Sequence, residues 1–303
     1  MSSQRQQFII QAKKILANVT VHEILKRKSR FRGIDLKKIS DDDLFKEIKK
    51  VLEIYVEGQP FQVSLISSRF IGQPHVRTLL YRVRKLTDLD ISHNDFVSMR
   101  KPADAWYPPS QFVSQGRLNK IGESLLYLAE DPKTAIIETH LQPGDLFYLI
   151  VFRTGNPFRA TFFEESETLP ELSDDENAKL QLFNDFLISE FVKHVGKGTE
   201  YLYRTSEIIA KQFLCHRDLD VAWSYPSIAN SRRSNLCFKS EIAYDHLDLV
   251  GVRVCRLVNQ TDYRLGVIGD AIEVDKSGNF IYVSAKSKIS QETFAGFNAA
   301  FNF

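Results

Sequence analysis

Cysteine is scarce. Cys215, Cys237 and Cys255 are the only three in 303 residues, odd in number and far apart, which excludes a disulfide framework. None stands in a Cys-x-x-Cys or Cys/His spacing and the seven histidines are scattered, so no metal is expected. Long apolar runs are missing too. The longest, Leu146 to Phe152, falls far short of the ~20 residues a helix needs to cross a bilayer. The N-terminal MSSQRQQFII has no basic stretch followed by an apolar one, so it does not read as a secretory signal. Net charge is nearly absent: 40 Lys and Arg stand against 38 Asp and Glu, which argues against a polybasic nucleic-acid arm or an acidic tail. These absences lead to the expectation of a cytoplasmic protein with neither a membrane nor a nucleic-acid partner.

Common chemical fingerprints are also lacking. There is no Gly-x-Gly-x-x-Gly after a strand, no Walker loop, no His-Glu-x-x-His and no Gly-x-Ser-x-Gly elbow. Arg69 and His75 have a spacing that can suggest a helical ribonuclease pair, but Gly72 and Pro74 lie between them and would break the helix.

What is present is apolar mass in two textures; 43% of the residues are hydrophobic, enough for a core. Phe8, Ile9, Ala12, Ile15, Leu16 and Val19 recur at helical spacing. Ser40 caps a second helix whose stripe runs through Leu44, Ile48, Val51, Leu52 and Tyr55, with Gly58 and Pro60 as its end. From Leu79 onward short strands are predicted at 79–83, 124–129, 146–153, 221–225, 236–238, 249–257 and 280–283. Lys101 to Ser110, with three prolines, reads as a surface loop. Asp131-Pro132 starts a helix that carries Ala135 to Thr139. Ser173 and Glu176 form a capping box, and a further helix is predicted from Ser206 to Cys215. The expected organisation is a helical N-terminal domain over residues 1–72 and an α+β domain over 73–303.

Polar residues at strand ends and helix starts are the candidates for chemistry. Taken singly, Tyr127 reads as a core aromatic, Glu138 as a solvated helix residue and Arg82 as a strand-edge arginine. Taken together they carry more. The run PPSQFVSQGRLNKIGESLLYLAEDPKTAIIE, with LYRVR before it and WSYPSIAN after it, resembles the core of the RES-domain family over about Leu79 to Lys286. The preceding helices look like the N-terminal domain of some members.

The resemblance implies a fold similar to the ADP-ribosyltransferases, a mixed β core with flanking helices. It also implies an NAD+-cleaving activity, as NAD+ phosphorylase or glycohydrolase. NAD+ would be the substrate, with no other cofactor. Family members characterised as toxins deplete NAD+, some ADP-ribosylate a protein, and many are neutralised by a helical antitoxin. By position the family's Arg falls on Arg82, its Tyr on Tyr127, its Glu on Glu138 and its Ser on Ser227, with Arg84 and Ser224 left as alternatives.

Cleavage of the nicotinamide–ribose bond develops positive charge on the sugar. Glu138 is the carboxylate to stabilise it, and nicotinamide leaves as a neutral group, so no general acid is required. Arg82 and Arg117 are candidates for the pyrophosphate, Tyr127 for the nicotinamide ring or ribose, and Ser227 for a ribose or carboxamide hydrogen bond. Asn119 is expected to hold the Gly116–Asn119 loop. Two other outcomes stay open: transfer of ADP-ribose to a macromolecule, and a non-catalytic module that binds a partner through its N-terminal helices. Homo-oligomerisation and the role of residues 155–197, read as an insertion that reshapes the cleft, are also open.

Overall fold

Side-chain caps set the first helices. The computed structural model describes residues 3–62, 67–71, 78–93, 96–163, 168–193, 195–213, 220–227, 233–239 and 242–295. After α1 (Ser3–Leu16), α2 (Val21–Arg32) starts where the Thr20 hydroxyl accepts from the Glu23 N–H at 3.1 Å. α3 (Asp41–Leu52) begins in the same way at Ser40, with three aspartates in its positive first turn. The helix stops at Leu52, short of the Tyr55 to which the apolar spacing carries it. Tyr55 stands in β1 (Ile54–Val56), which pairs antiparallel with β2 (Gln59–Phe61). Glu57 and Gly58 between them have φ of 51° and 79°, the geometry of a two-residue hairpin turn that follows strand twist. Gly58 therefore turns a hairpin rather than ending the helix.

In chain order there follow β3 (Ser67–Ile71), β4 (Leu79–Lys85), α4 (Asp88–His93), α5 (Pro102–Trp106), β5 (Leu126–Ala129), α6 (Pro132–Glu138), β6 (Leu146–Thr154), β7 (Phe158–Phe162), α7 (Asp174–Phe191) and α8 (Tyr203–Ile208). The remaining elements are β8 (Asp220–Pro226), β9 (Ser234–Phe238), α9 (Ala243–His246), β10 (Leu247–Asn259), β11 (Arg264–Val274), β12 (Phe280–Val283) and α10 (Lys288–Thr293). Among the departures from the sequence reading, three bear on the later elements. The 101–110 stretch is not wholly irregular, because Pro102 opens the short α5, on which Ala105 and Trp106 are buried. The helix expected from Ser206 to Cys215 begins earlier, at Tyr203, and passes into a π-helical turn over Ile209–Phe213, while Cys215 lies outside the described residues. β11 was not predicted because Gly266, Gly269 and Asp270, residue types depleted in strands, interrupt its apolar pattern.

The chain divides into two compact units. One comprises Met1–Arg69, Ser114–Glu123 and Thr161–Asp220, and the other Phe70–Val113, Ser124–Ala160 and Val221–Phe303. The first is mainly helical. α7 starts at the Ser173/Glu176 capping box, and its Phe186 ring meets Phe31 of α2 edge-on at 5.1 Å. Lys28 of α2 is buried and donates to the Leu182 carbonyl at 2.8 Å; burial lowers its pKa, with Asp185 opposing. Arg204 of α8 donates to the carbonyls of Leu36 and Ile39 at 2.7 and 2.8 Å, fixing the turn before α3. The N-terminal helices thus share their core with α7, which comes from the segment read as an insertion.

The second unit is built on a sheet with the strand order β12-β11-β10-β6-β4-β5-β9-β8, continuing to β7 and β3. From β12 to β8 every pairing is antiparallel. One face packs a core of Tyr81, Ala129, Phe147, Leu149 and Val151 against Ala135 and Ile136 of α6. The molecule is therefore a mixed α+β protein with one large sheet. No described helix is long and apolar enough to cross a membrane.

Beside this core lies a buried ion pair. Arg253 on β10 and Asp270 on β11 are 2% and 0% exposed and meet through two hydrogen bonds, Nε to Oδ1 at 2.8 Å and Nη2 to Oδ2 at 3.0 Å. Ser290 of α10 also donates to Asp270, and the guanidinium lies 4.2 Å from the Phe294 ring centre. Removing one partner of such a pair strands a buried charge. Asp270→Ala is predicted to lower stability by about 3–5 kcal/mol in urea unfolding; a loss under about 1 kcal/mol would show that the pair is dispensable.

Candidate active site

α6 is short and firmly started. The Asp131 carboxylate accepts from the Thr134 N–H at 2.9 Å and Pro132 occupies the first helical position. Ala135 and Ile136 are buried, which leaves Glu138, the last residue of the helix, on the exposed side. The helix ends there: Thr139 caps it and His140 takes a left-handed φ of 52°.

Two buried donors reach Glu138 from a distant part of the chain. The Ser227 hydroxyl, 89 residues away in sequence, donates to Oε1 at 2.6 Å. The Asn235 amide donates to the same oxygen at 2.6 Å. A carboxylate only accepts, so both partners must donate, and bonds to an ionised acceptor are the stronger kind. Ser227 and Asn235 are 2% and 4% exposed. Among the described residues no cation lies within ion-pair distance of Glu138. Its charge is thus oriented by neutral donors without being neutralised.

Strand register explains the convergence. Ala129 on β5 lies opposite both Tyr81 of β4 and Asn235 of β9, and Asn235 lies opposite Tyr225 of β8. Directly opposed residues share a face, so Asn235 stands on the face that packs α6. Ser227 follows β8 directly, and its N–H donates to the Arg233 carbonyl at 2.9 Å, which ties the end of β8 to the start of β9. Tyr127, half-buried on β5, shares the Asn235 face and lies opposite Cys237. The diagonal from Tyr127 to Asn235 spans ~7–8 Å in a regular sheet. Ser224 pairs with Leu236 and turns to the opposite face, so Ser227 is the serine that reaches Glu138.

The arginines are placed otherwise. Arg82 points away from the Tyr81 face, and its Nη1 donates to the carbonyls of Ala105 and Trp106 at 2.9 and 2.7 Å. Burial, then the neighbouring Arg84, lower its pKa to about 10, against the pull of Tyr107, so it stays charged at neutral pH. The contacts of Arg82 are with the α5 backbone rather than with Glu138. Trp106, whose carbonyl it holds, packs edge-on against Phe152 at 4.9 Å and tilted against Tyr244 at 4.2 Å. Arg117 and Asn119 belong to the helical unit. The Arg117 guanidinium lies 5.1 Å from the Tyr203 ring centre. Asn119 is buried and donates to the carbonyls of Ser114 and Lys120, both at 2.9 Å, fastening the 114–120 loop.

No protein-family model matches the chain, and neither a curated protein nor a solved structure matches it.

Of the residues singled out in the sequence, Glu138 and Ser227 are in contact and Tyr127 shares their neighbourhood on the sheet. Asn235 is the residue that sequence reasoning missed. Its one signal is a polar side chain at the head of the apolar Leu236-Cys237-Phe238 run, a position that needs a partner once buried. Among the described residues no cluster of His, Cys, Asp and Glu is arranged to hold a metal.

Glu130 adds a second carboxyl at the end of β5. Burial raises its pKa, opposed by the Ser234 N–H and the Arg233 charge. A folded-state pKa above the unfolded one contributes stability that is full below the ordinary carboxylate range and lost as pH rises through the raised value. Glu130→Gln is therefore predicted to raise the melting temperature at pH 7 and to leave it nearly unchanged at pH 4. A loss at pH 7 would mean that the charge is favourably held, and an equal gain at both values that the effect does not come from ionisation.

Proposed function

We propose that the chain is an NAD+-cleaving enzyme of the RES-domain type, with an ADP-ribosyltransferase-like catalytic unit, acting as an NAD+ phosphorylase or glycohydrolase. One observation carries this reading. Glu138 and Ser227, chosen from motifs 89 residues apart, share a hydrogen bond of 2.6 Å. A solvated helix glutamate with no task would not require a buried hydroxyl and a buried amide on one oxygen.

In this reading the C1′–N bond of the nicotinamide riboside breaks with its electron pair going to the pyridinium nitrogen, so nicotinamide leaves neutral. The ribose is left oxocarbenium-like, and the Glu138 carboxylate stabilises that charge as it develops. Ser227 and Asn235 fix Oε1, so that Oε2 faces the substrate without reorganising. Water or phosphate then adds to C1′ and loses a proton, giving ADP-ribose or its 1-phosphate. Tyr127 offers its ring to the nicotinamide or its hydroxyl to the ribose. Arg82 and Arg84 lie on the opposite face of the sheet from Glu138, with Arg82 engaged by the α5 carbonyls, so a role for either at the pyrophosphate rests on the resemblance alone. Roles for Arg117 and Asn119 in substrate binding rest on the resemblance alone. So does the expectation that the activity depletes NAD+ as a toxin would and is restrained by a cognate antitoxin.

The test is product analysis. Purified protein incubated with NAD+ is predicted to release nicotinamide, with ADP-ribose 1-phosphate appearing by mass spectrometry only when phosphate is present if the enzyme is a phosphorylase. Glu138→Gln should cut turnover by about 10²–10³-fold or more with an unchanged melting temperature. Folded protein that releases no nicotinamide under either condition, or a variant with undiminished turnover, would refute the assignment.

A further inference from the structure

We propose that the cleft between α2 and α3 docks an acidic segment of a partner protein, one apolar side chain flanked by carboxylates. The cleft has a volume of about 510 Å³ and lies wholly within the helical unit. Its floor is apolar: Phe31 and Val51 are buried, and Tyr55 presents an exposed ring at one end. Five cations stand around it, Arg27, Arg30, Lys46, Lys49 and Lys50, against Glu47 and Glu53.

Local pairing does not exhaust these cations. Lys46 meets Asp43 at 2.8 Å, Lys49 meets Glu53 at 3.3 Å and Lys50 meets Glu47 at 2.5 Å. Lys46 and Lys50 are exposed, and such pairs contribute only about 0–1 kcal/mol, so a better acceptor exchanges these two easily, while Lys49 is held by the buried Glu53. Arg30 is exposed and has no ion-pair partner among the described residues. The charge is regional. Met1–Arg69 holds 14 Lys and Arg against 8 Asp and Glu, a net +6, while the whole chain is +2, so the remainder carries −4.

The form of the cleft selects the class of occupant. A nucleic acid or a bilayer presents a continuous row of phosphates, which Glu47 beside the cleft would repel and which leaves an apolar floor unfilled. A peptide that inserts one aromatic or aliphatic side chain between carboxylates covers the floor and pairs the rim.

The experiment uses the full chain and a fluorescein-labelled peptide, Asp-Glu-Asp-Phe-Glu-Asp-Glu, read by anisotropy. Saturable binding is expected, weakening as ionic strength rises past about 0.1 M. The double reversal Arg30→Glu with Lys46→Glu should weaken it at least about tenfold, and Tyr55→Ala should weaken it while leaving the rim charge unchanged. Melting curves check that each variant is folded, and none of the three residues belongs to the Glu138 site, so NAD+ turnover should match that of the parent. Absent binding, unchanged binding by the charge-reversed protein, or equal binding of the peptide with Ala for Phe would overturn the proposal. Equal or tighter binding of a single-stranded oligonucleotide would overturn it in favour of a polyanion surface. Charge-sensitive self-association without peptide binding would overturn it in favour of a second copy of the chain.

Discussion

Glu138 occupies an unfavourable place for a carboxylate, the last turn of a helix, where the partial charge of the backbone is negative and an acidic group costs roughly 0.3–1 kcal/mol. Two neutral donors on Oε1 offset that cost, since hydrogen bonds to a charged group contribute about 1.5–3 kcal/mol each. Neither donor is local. Ser227 arrives from the end of β8 and Asn235 from the start of β9. The position of this one carboxylate therefore depends on the register that sets Ala129 against Asn235 and Asn235 against Tyr225. A one-residue slip of β9 would turn Asn235 to the other face.

The same dependence explains what the sequence could and could not reveal. α6 was legible because Asp131-Pro132 is a local signal with a local cause. β5 and β6 were legible because burial on both faces leaves dense apolar runs. Glu138 and Ser227 stood out only through motifs spread over the chain, as nothing in the spacing of two single residues predicts contact. Asn235 carried no motif, and its role comes from pairing with a strand more than a hundred residues earlier. Arg82 could be placed on its strand, but not its engagement with the Ala105 and Trp106 carbonyls, because proline-rich segments offer no periodicity to reveal a buried turn of helix. Tyr55 shows a local competition: its spacing fits the α3 stripe, yet the Glu57-Gly58 turn claims it for a hairpin.

The two units divide the physical work. The sheet unit buries its polar groups in pairs, Arg253 with Asp270, and Ser227 and Asn235 on Glu138, which fixes side chains by geometry rather than by bulk. In the helical unit the positive excess belongs to Met1–Arg69, around a cleft with an apolar floor, and is offset by the acidic segment 161–220. A nearly neutral total thus conceals an uneven distribution, and the proposed chemistry and the proposed docking draw on different parts of it.

The central claim is that the oriented Glu138 carboxylate faces the bond that breaks. A crystal structure of the Glu138→Gln variant with NAD+ tests it most directly. The account predicts the nicotinamide ribose beside residue 138, its C1′ within contact distance of the side chain, with Ser227 and Asn235 still holding that side chain. NAD+ bound elsewhere, or bound with its nicotinamide ribose remote from residue 138, would contradict it.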